Sequence, residues 1–325
     1  MSYQGQSISE VGESIALKET VRHLRPANRA EVGSGDDAAV IRHTEPRFVI
    51  TTDTMVEGKD FRLDISSGAD LGYKAVASNL ADVAAMGATP TALVVAVVLP
   101  PATKLSWLED FAKGLQLAID ELCPSAEVVG GDIATGDQMV ISVTATGDLE
   151  GREAVLRSGA KPGDLVCVAG TLGKAAAGLD LMLSQDSSLA ASYPELVAIQ
   201  LRPQPPLELV IASDGITAMM DISDSLALDS SRLASASDVK LELDSKSLLG
   251  YQAVLEQAAQ SLSSRGSERS PMDWVLFGGE DHSFLTTFRS TPPKGFKQIG
   301  IVSPGSGVYL DGEPLEPRGW DSLSN

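Results

Sequence analysis

Cysteine is scarce in this sequence, and its scarcity excludes two kinds of site. The 325 residues include two cysteines, Cys123 and Cys167, which lie far apart along the chain. Isolated cysteines supply neither a disulfide framework nor the paired spacing of a zinc site. A reducing cytoplasm is the simplest setting for such a chain.

The sequence also lacks a long apolar run. Its most apolar stretch, "TALVVAVVLPP", is too short to cross a bilayer and ends in two prolines. The N-terminal "MSYQGQSISEVGESIALKE" has no apolar core of the kind that a signal peptide needs. We therefore expect a cytosolic protein without a membrane segment.

Positive charge is in deficit, because the formal net charge is −19. The average field of such a chain repels polyanions, which argues against nucleic acid or an anionic membrane surface as a partner, although local cationic sites remain open. A hydrophobic content of 43% with 21% charged residues is typical of a globular protein, and the length suffices for two domains.

Strand and helix patterns alternate along the first half. Apolar spacing predicts helices over Ser9–Leu24, Asp70–Met86 and the segment "KLSWLEDFAKGLQLAIDEL". Strands are predicted at "DDAAVI", "RFVITTD", "EVV" and "QMVISVTATGD". A further strand is predicted at "TALVVAVVL", which has apolar residues at both odd and even positions and so is expected to be covered on both faces.

The turn-rich "RSGAKPGD" separates the two halves, and we place the division near Gly151, giving domains 1–150 and 151–325. The second half begins with a strand at "LVCVAG" and a helix over Lys174–Leu183, followed by a helical region to Ala212. A strand at "MMDIS" and a helix at "LALDSSRLASA" come next, and the remainder, with "WVLFGG", "HSFLTTF", "KQIGIVS" and a hairpin at "VYLDGEPL", is predicted to be rich in strands. The predicted fold class is α+β, with two mixed α/β domains.

Acidic residues recur where apolar runs end. Clustered carboxylates repel one another unless a cation neutralises them, and hard oxygen ligands favour Mg²⁺. Acidic residues also cap helices and occupy turns, and for any one of them that is the simpler interpretation. Within the helix pattern, Asp82 shares a face with Asn79, which fits a polar site or a solvated face equally well. The acidic residues at these run ends are Asp36, Asp37, Asp53, Asp132, Asp221, Asp224, Glu280 and Asp281.

Several nucleotide and catalytic motifs are absent. "GTLGKAA" lacks the spacing of a Walker A loop, and the dinucleotide motif GxGxxG does not occur. The three histidines have no metal-ligand spacing, and no nucleophile–histidine–acid signature is evident. Glycine-rich "GSGDD", "VVGGD" and "FGGED" could bring backbone N–H groups close to phosphate. Chemistry through metal and phosphate is the kind best supported.

An ordered set of segments resembles the thiamine-monophosphate kinase family over nearly the whole chain. That family shares an ATP-binding superfamily with aminoimidazole ribonucleotide synthetase and selenophosphate synthetase. The segments are "GSGDDAAVI", "TTDTMVEG", "KAVASNLADVAAMGATP", "VVGGD", "LRSGAKPGD", "DISDSL" and "FGGED".

The resemblance implies a synthetase-like fold with N- and C-terminal domains, and a homodimer formed through the first domains. It also implies transfer of the γ-phosphoryl group of ATP to thiamine monophosphate, which yields thiamine diphosphate in thiamine biosynthesis. Several Mg²⁺ ions would assist a direct in-line transfer, with no covalent nucleophile on the protein.

The resemblance assigns roles residue by residue, with Asp36 as structural support beside the ligand Asp37. Metal positions are Asp37, Thr51, Thr52, Asp53, Asp82, Asp132, Asp221 and Asp224. ATP-binding positions are Gly131, Asp132, Arg157 and Ser223, and substrate-binding positions are Asp60, Glu280 and Trp320.

Three departures from the family pattern concern the substrate side. Asp60 stands where the family has a substrate-facing histidine, Ser225 replaces the glycine of "DISDGL", and "GGEDHS" replaces "GGEDYE". Asp60 could instead attract the cationic thiazolium ring of the substrate.

Two alternatives remain. One is another ATP-dependent phosphoryl-transfer member of the superfamily. Selenophosphate synthetase is disfavoured because it needs a reactive cysteine near its N-terminus, and no cysteine precedes Cys123. A hydrogenase-maturation relative is disfavoured because it should end in a cysteine tail, whereas this sequence ends in "DSLSN". The other is a nucleotide-sensing protein without turnover.

Overall fold

The computed structural model describes residues 5–26, 30–32, 39–44, 46–184, 186–264 and 270–320. The chain divides into two compact units. Unit 1 comprises Met1–Ala84 and Ala88–Arg152, and unit 2 comprises Ala85–Gly87 and Glu153–Asn325.

Unit 1 contains a four-stranded sheet and the helices around it. Its elements are α1 (Ile8–Val11), α2 (Glu13–Val21), β1 (Ala30–Val32), β2 (Val40–Ile41), β3 (Phe48–Val56), α3 (Gly68–Ala85), β4 (Thr89–Leu99), α4 (Leu105–Leu122), β5 (Glu127–Thr135) and β6 (Val140–Asp148).

The sheet of unit 1 has the strand order β3-β6-β4-β5. β6 is antiparallel to both neighbours, whereas β4 and β5 are parallel. Parallel neighbours need a crossover connection, and the amphipathic α4 supplies it. Its buried apolar residues recur at helical spacing: Leu105, Leu108, Phe111, Ala112, Leu115, Ala118, Ile119 and Leu122.

Two details of unit 1 differ from the sequence predictions. The N-terminal helix is interrupted at Gly12, whose φ of 79° is incompatible with an α-helix, so α1 and α2 replace one long helix. The apolar β4 is not covered on both faces, because Val94 is 41% exposed. Of the strand predicted at "DDAAVI", the structure describes Val40 and Ile41 as β2 and none of residues 36–38.

Unit 2 contains a seven-stranded sheet of order β13-β12-β9-β11-β7-β10-β8. A single 3₁₀ turn at Arg157–Gly159 precedes it. Its elements are β7 (Leu165–Ala169), α5 (Lys174–Leu183), α6 (Ser187–Ala191), α7 (Pro194–Leu201), α8 (Leu207–Ile211), β8 (Ile216–Ile222), α9 (Leu226–Ser237), β9 (Lys240–Leu243), α10 (Ser245–Ala253), α11 (Glu256–Ser263), α12 (Pro271–Phe277), β10 (Ser283–Phe288), β11 (Phe296–Ser303), β12 (Gly307–Leu310) and β13 (Glu313–Pro314).

The strand predicted at "WVLFGG" is wrong, because these residues end α12. Pro271 at the first helical position starts the helix, and three consecutive residues, Trp274 to Leu276, are buried. A short apolar run has the same pattern in a buried helix and in a buried strand, so tertiary packing decides between them. The predicted hairpin is confirmed: β12 and β13 pair across Asp311 and Gly312, which both have positive φ.

The core of unit 2 lies between this sheet and its helices. Leu233 of α9 and Val275 of α12 are among its fully buried members, together with Val166 and Leu285 of the central strands. No helix within the described parts of the chain is both long and apolar enough to cross a membrane. The β8–α9 connection, residues 223–225, positions the part of the candidate site that lies in unit 2.

Candidate functional site

The predicted site residues fall in both units. In unit 1 they lie on β3, in the turn after β3, on α3 and on β5, and in unit 2 they lie around the β8–α9 connection. Asp37 and its neighbour Asp36 lie outside the described residues.

Thr51, Asp53 and Asp82 lie on one face of the unit 1 sheet. Thr51 and Asp53 pair with the buried Ala145 and Val143 of β6, so they share the face against which α3 packs. From α3, the Asp82 carboxylate accepts a hydrogen bond from the Thr51 hydroxyl at 3.0 Å. The Asp82 side chain therefore faces the sheet.

Thr52 and Asp132 lie on the opposite face. Thr52 accepts a hydrogen bond from the Thr144 hydroxyl of β6 at 3.1 Å. Asp132 is paired with Ala96 of β4, which is paired in turn with Ser142 of β6. Because side chains alternate along a strand, the register separates these two residues from Thr51 and Asp53.

Gly131 lies where β5 approaches β4 closely. A Cβ at this position would lie 2.2 Å from the Val95 carbonyl oxygen, so no larger residue fits without moving the backbone. The glycine is thus required by the sheet itself. Asp132, the next residue, is exposed.

In unit 2, three carboxylates gather at the β8–α9 connection. Asp221 is buried at the end of β8, and Asp224 follows it in the connection. The third carboxylate belongs to Asp229 in the first turn of α9, with a fully buried side chain. It accepts the backbone N–H groups of Asp224 and Ser225, each at 3.1 Å.

Arg232 joins two of these carboxylates. Its Nη1 forms ion pairs with Asp224 and, at 2.6 Å, with Asp229. Burial raises the pKa of Asp229 to about 6, and the charges of Asp221 and Asp224 add to the effect. Arg232 thus pairs with two of the three carboxylates named above.

This donor set fits a hard divalent cation. Carboxylate oxygens are the ligands that Mg²⁺ prefers, and a second positive charge would offset the burial and, to a smaller extent, the repulsion that raise the pKa of Asp229. Among the described residues, no set of three or more Asp, Glu, His or Cys side chains converges as a complete metal site. Mg²⁺ is commonly held by one or two carboxylates together with substrate phosphates, so an incomplete protein shell is compatible with nucleotide-dependent binding.

The residues predicted to contact ATP in unit 2 are placed by their backbones. The Ser223 carbonyl accepts the N–H of Glu280 at 2.8 Å. Arg157 is exposed on the 3₁₀ turn, and its carbonyl accepts the Ser237 hydroxyl of α9 at 2.6 Å. The turn that presents Arg157 is therefore anchored to the same helix that follows the carboxylate cluster.

Glu280 and Trp320, predicted on the substrate side, both contact the β8–α9 connection. Glu280 has a positive φ of 68°, and its carboxylate accepts a hydrogen bond from Gln200 Nε2 at 2.7 Å. The Trp320 N–H donates to the Asp224 carbonyl at 3.2 Å, and the residue is 37% exposed. Unit 2 thus brings Asp221, Ser223, Asp224, Glu280 and Trp320 together.

Asp60 has a local partner in unit 1. Its carboxylate accepts the backbone N–H of Val56 at 2.8 Å, and its own N–H donates to the Val56 carbonyl at 2.9 Å. The side chain thus closes the turn after β3.

Sequence reasoning missed Asp229, Arg232 and Gln200 as members of this site. The i, i+3 spacing of Asp229 and Arg232 after "DISDSL" is a signal that could have found the first two. Asp281 was noted but given no role. It is buried against the start of α5, where it accepts the Thr171 hydroxyl at 2.6 Å, and burial raises its pKa.

Comparisons with known proteins agree with one another. The family model of the AIR synthase related protein, N-terminal domain, matches residues 35–149. The thiamine-monophosphate kinase of Mycobacterium tuberculosis is 37% identical over 327 residues, which cover 99% of this chain and 95% of that protein. The Corynebacterium glutamicum protein of the same name is 37% identical over 92% of this chain and 88% of its own length.

Solved structures give the same result. The structure of AaThiL complexed with AMPPCP and TMP is 31% identical, with a TM-score of 0.74 over 96% of this chain and 97% of that one. Thiamine-monophosphate kinase from Stenotrophomonas maltophilia K279a is 30% identical, with a TM-score of 0.75 over 93% and 96%. The hydrogenase maturation protein HypE, at 18% identity and a TM-score of 0.65, shares the fold alone.

Proposed function

Because the chain belongs to the thiamine-monophosphate kinase family, we propose that it transfers the γ-phosphoryl group of ATP to thiamine monophosphate, forming thiamine diphosphate and ADP. The observation that carries this proposal is the 37% identity to the Mycobacterium tuberculosis enzyme over 99% of the chain. The AaThiL structure is complexed with AMPPCP and TMP, which correspond to the proposed nucleotide and the proposed acceptor.

The acceptor itself explains why no catalytic base is needed. A phosphate monoester is already ionised near neutral pH, so the reaction needs charge neutralisation and in-line positioning. A covalent phosphoenzyme is not part of the proposal. The roles left for the protein are to hold the phosphates, to orient the acceptor and to exclude water.

We assign the metal-binding role to the carboxylates of both units. Asp221 and Asp224 in unit 2 would hold Mg²⁺ together with nucleotide phosphates, and Asp229 would orient Asp224 through its backbone N–H. In unit 1, Thr51, Asp53 and Asp82 form one group, while Thr52 and Asp132 form another, and Asp37 stays a predicted ligand. The bound ions would neutralise the charge on the transferring phosphoryl group.

ATP contacts are assigned to residues of both units, and two substrate contacts are assigned to unit 2. Ser223, Gly131 and the exposed Arg157 would contact the nucleotide, the last as a phosphate-binding cation. Glu280 and Trp320 would contact the thiamine portion, where an aromatic face and a carboxylate both suit a positively charged thiazolium ring. Asp60 stays a predicted substrate contact.

The predicted homodimer is supported by an exposed apolar face in unit 1. Phe48, Ile50 and Val94 lie on the same face of the sheet, with exposures of 49%, 62% and 41%. Exposed apolar residues that share one face of a sheet are typical of a surface that binds a partner. The cytoplasmic location stays a prediction.

Product analysis tests the proposed function. Purified protein is incubated with ATP, Mg²⁺ and thiamine monophosphate, and thiamine diphosphate and ADP are quantified by chromatography. We expect equimolar products, none with excess EDTA, and none when unphosphorylated thiamine replaces the acceptor. ATP binding without product formation would contradict the kinase proposal and support the nucleotide-sensing alternative.

A further inference from the structure

Ser225 stands where the resemblance of "DISDSL" to the family pattern implies a glycine, and its hydroxyl makes two hydrogen bonds that a glycine cannot make. The hydroxyl oxygen accepts the Leu228 N–H at 3.0 Å, which caps the N-terminus of α9. The same hydroxyl donates to the Arg318 carbonyl at 2.7 Å. One donor and one acceptor are in use, which suits the bonding capacity of a hydroxyl.

The backbone accepts serine here without strain. The φ of Ser225 is 169°, which is extended backbone open to any residue, and its side chain is fully buried. A buried hydroxyl that lacked partners would destabilise the fold, so both bonds matter to it. Serine therefore adds a direct link between the β8–α9 connection and the C-terminal segment.

The C-terminal segment is held closely at this point. A Cβ on Gly319 would lie 2.7 Å from the Ser225 Oγ and 2.9 Å from the Asp224 carbonyl oxygen, so only glycine permits the approach. The Arg318 guanidinium lies over the Phe277 ring, 3.8 Å from its centroid. Two separate contacts thus hold Arg318 just before Trp320.

The contacts of Arg318 with Ser225 and Phe277 help to fix the position of Trp320. Its backbone N–H donates to the Asp224 carbonyl, and the residue as a whole is 37% exposed. The tryptophan is consequently fixed at the backbone and partly exposed. Loss of the Ser225 bond would leave that backbone held by fewer contacts.

We propose that Ser225 is a positioning residue that fixes Trp320 beside Asp224, and that it strengthens binding of the acceptor and not of ATP. The proposal rests on the proposed function, in which Trp320 contacts the thiamine portion. Among the described residues, the carbonyl groups of two proposed nucleotide contacts, Arg157 and Ser223, accept hydrogen bonds from Ser237 and Glu280, which lie outside the C-terminal segment. The affinity for the acceptor should therefore respond to Ser225 more than the affinity for ATP does.

Hydrogen exchange of the ligand-free protein provides the first test. In Ser225→Ala, the C-terminal peptide that contains the Trp320 amide should exchange roughly three- to tenfold faster, as expected for loss of one hydrogen bond. Ser225→Gly, which also removes the hydroxyl, should behave in the same way. Unchanged exchange in both variants would overturn the proposal.

Two further variants separate the link from the helix cap. Asp244→Ala removes the N-cap of α10, where the carboxylate accepts the N–H groups of Lys246 and Ser247, and should leave exchange of the C-terminal peptide unchanged. Arg318→Met removes the contact with Phe277 while the α9 cap stays intact, and should speed that exchange. The proposal fails if Asp244→Ala reproduces the effect of Ser225→Ala on exchange of the C-terminal peptide.

Steady-state kinetics provide the second test. Ser225→Ala should raise the KM for thiamine monophosphate by roughly three- to tenfold, a factor that follows from the same lost bond, and should leave the KM for ATP within about twofold. An equal rise in the KM for thiamine monophosphate and the KM for ATP would mean that Ser225 has a purely structural role, and would overturn the proposal. If the wild type made no thiamine diphosphate while exchange changed as expected, the link would stand and the proposed function would fail.

Discussion

The buried carboxylate of Asp229 accepts the backbone N–H of Asp224 at 3.1 Å, so a residue in the first turn of α9 orients a predicted metal ligand five positions earlier. The same carboxylate binds Arg232, which also pairs with Asp224. A cation that reached Asp224 would therefore compete with Arg232, and Asp229 gives this arginine a second partner.

Asp229→Ala should weaken the response to Mg²⁺. It leaves two backbone N–H groups without an acceptor and leaves Arg232 paired with Asp224 alone, so the half-saturating Mg²⁺ concentration should rise by about 10- to 100-fold, as for other outer-sphere partners. Turnover against Mg²⁺ and the Mg²⁺-induced rise in Tm measure this. Asp244→Ala loses the same kind of cap elsewhere and serves as the control. An unchanged Mg²⁺ response in Asp229→Ala would contradict the orienting role.

Asp53→Asn and Asp132→Asn should each abolish turnover while leaving Tm nearly unchanged. Each substitution removes an anionic ligand with little change in volume, and both residues are exposed, so the fold does not depend on their charge. Activity at saturating Mg²⁺ and thermal unfolding are measured together. Asp137→Asn, an exposed acid in the β5–β6 connection, is the matched control. Near-normal turnover in both test variants would rule out metal roles for them.

Local patterns predicted much of the fold. The helix over Lys174–Leu183 coincides with α5, and the Asp-Gly turn correctly placed the last hairpin. These succeeded because their signals are local: alanine-rich periodicity and turn residues with positive φ. "WVLFGG" failed because only packing distinguishes a buried helix from a buried strand. Strand order, with β7 between β10 and β11, depends on pairings between segments over 100 residues apart.

The sequence predicts the site residues that belong to recognisable motifs, but not those whose role depends on burial. The ordered segments identified Asp221, Asp224 and Glu280, whereas Asp229 and Arg232 resemble an ordinary surface pair one helical turn apart. Only the structure shows that the Asp229 side chain is fully buried. The division of Thr51 and Thr52 between opposite faces follows from strand alternation, but which face α3 covers does not.

Asp60→Asn should weaken binding of thiamine monophosphate more than binding of ATP. The amide oxygen can still accept the Val56 N–H, so the turn persists and the substitution isolates the charge. For a partly solvated charge pair the loss is on the order of 1 kcal/mol, or about fivefold in Kd. Calorimetric titration of both ligands into both proteins measures it. Equal weakening, or none, would confine Asp60 to its role in the turn.

Asp148 should make unit 1 less stable in acid, and Asp148→Asn should remove that dependence. Burial alone would raise the pKa of this carboxyl group, but hydrogen bonds from the backbone N–H groups of Thr44 and Glu150 outweigh it and hold the pKa below the usual 3.8. A lowered folded-state pKa stabilises the fold above the unfolded-state pKa, and this contribution is lost as the pH falls through the folded-state value.

Both carboxylate oxygens of Asp148 accept an N–H, so an amide at this position must turn its own NH₂ group towards one of those donors. At pH 7, Asp148→Asn should therefore lower the free energy of unfolding by about 1–3 kcal/mol, the usual effect of a buried donor left unpaired. Thermal unfolding of both proteins from pH 7 to pH 3 should show the difference in Tm begin to narrow below about pH 4, where the carboxyl group of the unfolded chain takes up a proton before that of the folded protein does. A constant difference across this range would mean that the ionised form of Asp148 does not stabilise unit 1.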